Sequence, residues 1–164
     1  MTLAELNAMA PTDAADALWR CCSSTRWAGT MAALRPFRNT AELYQAAESV
    51  WRELSSPDWM EAFSYHPRIG ERAAGWASDE QSGARDASQR IKGELVKWNT
   101  EYERRFGHVF LICATGKQAD EMLREMEKRM NHEPAAELRV AAGEQAKITR
   151  LRLEKLLSSE TAGV

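Results

Sequence analysis

The chain lacks any apolar run long enough to cross a membrane, which takes about 20 consecutive residues. Met1 to Ala15 has neither a basic start nor a continuous apolar centre, so a secreted or membrane-bound protein is not expected. It also lacks an excess of either charge. Lys and Arg total 22 against 24 Asp and Glu, a net charge of -2, which supplies no electrostatic drive toward nucleic acid or an anionic lipid surface. Cysteine is scarce: Cys21, Cys22 and Cys113 are an odd number, with two adjacent and poorly placed to bond each other, so a reduced, cytoplasmic setting fits best. Strand signals are nearly absent outside Val109-Phe110-Leu111-Ile112, and no repeat of solenoid length occurs.

Helical spacing, by contrast, runs through the sequence. From Ala84 the apolar positions Ala87, Ile91, Leu95, Trp98, Tyr102 and Phe106 follow at steps of three or four, laying one stripe along a long amphipathic helix that Gly107 ends. Ser78 and Asp79 are placed to cap its start, with Gln81 completing a capping-box pattern and Glu80 in the first turn. Further helices are expected over about Gln118 to Met130 and Pro134 to Leu157, and, earlier, over Asp13 to Cys22, Thr40 to Leu54 and Pro57 to Tyr65. Hydrophobic residues make up 44% of the 164, enough for one core. The expectation is an all-α, single-domain bundle of about seven to eight helices. It covers 1–158, with a frayed tail over 159–164. The stretch Gly70 to Gly83, which contains three glycines, joins two helical regions and reads as the flexible part.

Few residues are equipped for chemistry. His66, His108 and His132 are scattered, and nothing has the close ligand spacing of a zinc site, so no metal is expected. Thr115-Gly116-Lys117 fails as a phosphate-binding loop, since Gln118 stands where Ser or Thr is required. Cys113 lies in the most apolar run, where a thiol is commonly buried and inert. His66 differs because Pro67 biases it out of the helical region and pins the imidazole at a rigid corner. A cation packed at a helix C-terminus is the competing account, and position alone leaves the two level. Glu80 is placed to return across the glycine-containing loop and hold the imidazole; otherwise it is a carboxylate in a helix first turn. Arg152 follows Ile148 by one helical turn and shares its apolar face, so its guanidinium requires a carboxylate, internal or from a substrate. Arg150 points elsewhere and reads as a surface residue.

These residues resemble a known family. Leu6-Asn7, Trp27, Arg35-Pro36-Phe37, His66-Pro67-Arg68-Ile69-Gly70, Glu80-Gln81-Ser82-Gly83-Ala84, Phe106 through Ala114, Ile148 and Leu151-Arg152-Leu153 are similar, in order and spacing, to the OHCU decarboxylases. That family acts on 2-oxo-4-hydroxy-4-carboxy-5-ureidoimidazoline in purine breakdown. The resemblance implies an all-helical, cofactor-free and usually dimeric enzyme that forms (S)-allantoin and carbon dioxide. It implies that His66 is the catalytic acid, Glu80 its carboxylate partner and Arg152 the substrate anchor. Pro67, the turn of Ala77, Ser78, Asp79, Glu80 and Gln81, and the segment Phe110, Leu111, Ile112, Cys113 and Ala114 would be the remaining substrate-contacting walls. Ala77 stands where the family often carries serine, so a substrate hydrogen bond from that position is either absent or supplied by Ser78.

Two other functions fit parts of the sequence. Six tryptophans and seven methionines suit a helical interaction module that uses exposed Trp and Met to bind a partner helix. A ring-opening hydrolase acting on 5-hydroxyisourate, one step earlier, is the second. The anchoring role of Arg152 predicts that Arg152→Lys raises the Michaelis constant, because a point charge cannot reproduce a planar two-pronged donor; steady-state kinetics with an unchanged constant would remove that role.

Overall fold

The computed structural model describes residues 1–71, 75–85 and 88–158. The tail over 159–164 and the stripe position Ala87 lie outside the described residues. Every described element is helical: α1 (Leu3–Ala8), α2 (Pro11–Trp19), α3 (Thr25–Ala33), α4 (Thr40–Glu53), α5 (Ser56–Ser64), α6 (Gly75–Glu80), α7 (Ser82–Arg85), α8 (Gln89–Phe106), α9 (Ala119–Arg129) and α10 (Pro134–Leu157). The chain divides into two compact units, one of residues 1–62 with 146–164 and one of residues 63–145.

In the first unit α2 packs on α3 and α3 on α4. Trp27 is fully buried, and its indole N–H donates to the Ala47 carbonyl at 3.1 Å, which avoids the cost of an unmade buried hydrogen bond and ties α3 to α4. Thr2 and Glu5 form a capping box on α1, Ser24 caps α3 and Asn39 caps α4, satisfying amides that the first helical turn leaves without partners. Asn7 is bonded in both directions to the Phe37 backbone, at 2.8 and 2.9 Å. The Arg35 guanidinium donates to the carbonyls of Ala32, Leu6 and Met9, each at 2.8 Å. The motif residues of the first forty positions are thus scaffold: they seal the ends of α1 and α3.

The second unit is built on the expected stripe. Leu95 and Tyr102 of α8 are buried with Ile69, Ala84, Phe110, Ile112, Ala114, Ala119, Met122, Leu123 and Met126, with Ile91, Trp98, Phe106 and Met130 packed against them. Gly107 closes α8 with φ +78° and its N–H on the Glu103 carbonyl at 2.8 Å, a backbone shape glycine adopts without strain. In this core the Glu137 carboxylate, wholly buried, receives the Tyr102 hydroxyl at 2.7 Å, Arg129 Nε at 2.6 Å and His132 Nδ1 at 2.9 Å. The phenol of Tyr102 is held protonated, first by burial and further by that carboxylate. His108 lies among Phe63, Tyr102 and Phe106, and burial pushes its pKa down.

The all-helical class matches the expectation, but the described residues hold ten helices instead of about seven to eight. The additional ones, such as α1 and α6, have six residues each, too few turns to display an amphipathic period. Ser78 does not cap the long helix. It lies inside α6, and Ser88 caps α8 by accepting from the Ile91 N–H at 3.3 Å. Glu80 therefore ends a short helix instead of starting a long one. The α9 and α10 spans agree with the sequence, α10 at both of its ends. Glu137→Ala would leave the Arg129 charge buried without its counter-ion, and urea unfolding is expected to show a loss of about 3 to 5 kcal/mol.

Candidate active site

The second unit carries His66. Helix α5 stops there because Pro67 cannot continue it, and the His66 N–H closes the last turn on the Phe63 carbonyl at 3.1 Å. The residues that follow are pinned to α8. Arg68 grips Glu103 with two donors, at 2.6 and 3.1 Å, and Asn99 Nδ2 donates to the Ile69 carbonyl at 3.0 Å. Gly70 turns at φ +90°, a region closed to most side chains. Rigidity at this corner thus has a definite source in α8. The imidazole is half-buried, and its Nε2 lies 2.6 Å from Oε1 of Gln145, a residue with no solvent exposure.

Glu80 is buried at the end of α6. Beside it, Gln81 Oε1 accepts the Gly70 N–H at 3.2 Å, so the Glu80-Gln81 turn and the His66–Gly70 segment are stitched to each other. Ala77 and Ser78 are half-buried, whereas Asp79 is exposed. Gly83 then approaches the Lys117 backbone closely, since a Cβ there would stand 2.0 Å from the Lys117 carbonyl oxygen.

Ahead of Lys117 lies the irregular run Phe110 to Ala114, buried except for Cys113, which is half-buried. It has no strand character because other groups take its backbone: Arg129 Nη1 donates to the Leu111 carbonyl at 2.8 Å, and the Cys113 N–H donates to Glu144 Oε1 at 3.1 Å. The guanidinium of Arg129 also lies over the Phe110 ring, 4.4 Å from its centre. Thr115-Gly116-Lys117 is the tight turn that follows, closed by the Lys117 N–H on the Ala114 carbonyl at 2.9 Å. Among the described residues no group of three or more His, Cys, Asp or Glu is arranged to hold a metal.

Arg152 belongs to the first unit. It is buried on the inner face of α10, 9% exposed, and acts electrostatically on Cys21 and Cys22. Burial pushes both thiols up to about 12, and the guanidinium only partly offsets that rise. Arg150 lies on the surface as expected, paired with Glu154 at 2.8 Å.

Two residues escaped the sequence reasoning: Gln145, which holds the imidazole, and Glu144, which holds the Cys113 amide. The signal for Gln145 was present. It shares an apolar stripe of α10 with Ala141 and Ile148, and a polar side chain on such a face needs a partner just as Arg152 does.

A family model described as OHCU decarboxylase matches residues 7–154. The chain belongs to the OHCU decarboxylase family. Among the relatives of this decarboxylase-family chain is the uric acid degradation bifunctional protein of Arabidopsis thaliana, 35% identical over 152 residues. That match covers 87% of this chain and 47% of the Arabidopsis protein, so the chain spans about half the length of that relative. The 2-oxo-4-hydroxy-4-carboxy-5-ureidoimidazoline decarboxylase of Haloferax volcanii is 27% identical, and the match covers 98% of both chains. A crystal structure of an OHCU decarboxylase in the presence of (S)-allantoin superposes with a TM-score of 0.79 at 37% identity, covering 87% of this chain and 98% of that one.

The contact at Gly83 is testable. Gly83→Ala forces α7 off the Lys117 carbonyl, and chemical denaturation is expected to show about 1 to 3 kcal/mol of lost stability; a wild-type midpoint would remove this contact as a constraint on the fold.

Proposed function

We propose that this chain catalyses the cofactor-independent decarboxylation of 2-oxo-4-hydroxy-4-carboxy-5-ureidoimidazoline to (S)-allantoin and carbon dioxide, a step of urate breakdown. The observation that carries the proposal is the half-buried His66 imidazole, locked ahead of Pro67 and bonded to buried Gln145, in a chain of the OHCU decarboxylase family. When the carboxylate leaves carbon 4 as carbon dioxide, its bonding electron pair becomes a double bond to carbon 5, the C=N pair there moves onto nitrogen, which takes up a proton, and the hydroxyl oxygen on carbon 4 is left as that of an enol or enolate. Carbon 5, which bears the ureido group, then takes a proton on one face as the carbon 4 oxygen becomes the carbonyl of allantoin. The His66 imidazolium is the donor, with Glu80 as the carboxylate that supports its charged form.

Arg152 anchors the polar groups of the substrate through paired hydrogen bonds. Pro67, the Ala77 to Gln81 turn and the Phe110 to Ala114 run form the walls. Backbone N–H groups of the last segment stabilise the enolate oxygen, as in an oxyanion hole. The Cys113 amide already faces a carboxylate oxygen, that of Glu144, so it enters that role only once Glu144 lets go. Residues 1–158 act as one functional domain, working as a homodimer on a small-molecule substrate. That none of the three cysteines is in a disulfide supports a reducing, cytoplasmic setting.

The helix-binding alternative needed exposed Trp and Met, yet none of the six tryptophans or seven methionines is exposed. Among the described residues the exposed large apolar ones are Leu34, Tyr65 and Val96, widely separated in sequence. His66→Ala is expected to cost roughly 10²- to 10⁴-fold in the rate of loss of the intermediate. It should also leave racemic allantoin from unaided decay, read by circular dichroism after urate is freshly oxidised. A variant that still accelerates the reaction and still yields one enantiomer would overturn the assignment, as would wild-type protein that acts only on 5-hydroxyisourate.

A further inference from the structure

We infer that Gln145 is a positioning residue for His66, holding the neutral imidazole as its Nε2–H tautomer so that Nδ1 is the nitrogen that takes up and releases the catalytic proton. The inference rests on His66 being the acid of the proposed reaction. Nε2 and the amide oxygen are 2.6 Å apart, and an amide oxygen only accepts, so the proton between them belongs to Nε2. The alternative tautomer would set two lone pairs against each other at that distance. In the imidazolium the same bond persists, and the proton that changes between the two states is the one on Nδ1, shared with substrate or with Glu80.

Gln145 suits this task for two further reasons. It has no solvent exposure, so water does not compete for the bond, and it rides on α10, a helix of 24 residues, so its backbone does not drift. An amide also adds no charge, which fixes the ring while leaving it able to give up a proton; a carboxylate there would favour the cation instead. The preceding residue, Glu144, holds the Cys113 N–H. Two successive positions of one helix therefore hold the imidazole and the Phe110–Ala114 wall.

The test uses the full chain labelled with ¹⁵N-histidine, with the His66 signals assigned by their loss in His66→Ala. Neutral His66 is expected to show a protonated Nε2 and an unprotonated Nδ1. Gln145→Leu should give mixed tautomers and a kcat roughly ten- to a hundredfold lower, with KM within about twofold because substrate contacts are intact. Gln145→Glu, which keeps an acceptor oxygen in place, should restore the Nε2–H signal of the neutral ring, reached at higher pH than in the wild type because the carboxylate favours the cation. A protonated Nδ1 in the wild-type neutral ring overturns the inference, and so does a folded Gln145→Leu protein with unchanged tautomer and kcat. If the leucine variant does not fold, the wild-type spectrum decides alone. Full activity in His66→Ala would instead defeat the catalytic reading, an outcome distinct from any tautomer result.

Discussion

One buried carboxylate organises the second unit. Glu137 has no contact with solvent, and three side chains from α8, α9 and the turn before α10 converge on it: Tyr102, Arg129 and His132. A bare carboxylate in that place would be prohibitively costly, so each donor is a condition of the fold as much as a consequence of it. Arg129 carries the constraint onward, because the guanidinium that neutralises Glu137 also holds the Leu111 carbonyl and covers the Phe110 ring. The backbone of the Phe110–Ala114 run is shaped from behind by a charge pair that no substrate need touch. The chemistry proposed for His66 depends on such rigidity, since positioning and preorganised dipoles are its main means of lowering a barrier.

Much of this was legible in the residues. The apolar stripe of α8, the stop at Gly107 and the full length of α10 follow from spacing and end signals that persist over many turns. Short elements were not: α1 and α6 are too brief to show a period, and α1 is visible only through its Thr2 and Glu5 box. The position of Glu80 was misread because Ser78 with Gln81 and Ser88 ahead of Gln89 are both acceptable helix starts, and local pattern does not choose between them. The choice is made by tertiary contacts, Gln81 on Gly70 and Gly83 on Lys117, which join positions far apart in sequence.

The site shows the same division. His66 stands out through Pro67 and Arg152 through its place on an apolar face, because both are local features, while their catalytic and anchoring roles belong to the proposed function. Gln145 and Glu144 act across more than thirty residues, and nothing near His66 or Cys113 announces them. Likewise Asn7 and Arg35, which carried part of the family resemblance, prove to be fasteners of α1 and α3. A motif residue that seals helix ends and one that moves a proton look alike in a sequence, and hydrogen-bond partners tell them apart.

The cysteines carry a practical consequence. Burial keeps the Cys21 and Cys22 thiols protonated far above neutral pH, whereas Cys113 is partly open to solvent between Ile112 and Ala114. Thiolate is the reactive form and access governs encounter, so the native chain comes with a built-in single-site handle. A fluorophore or spin label attached there would sit on the Phe110–Ala114 run and report on its motions without any engineered substitution.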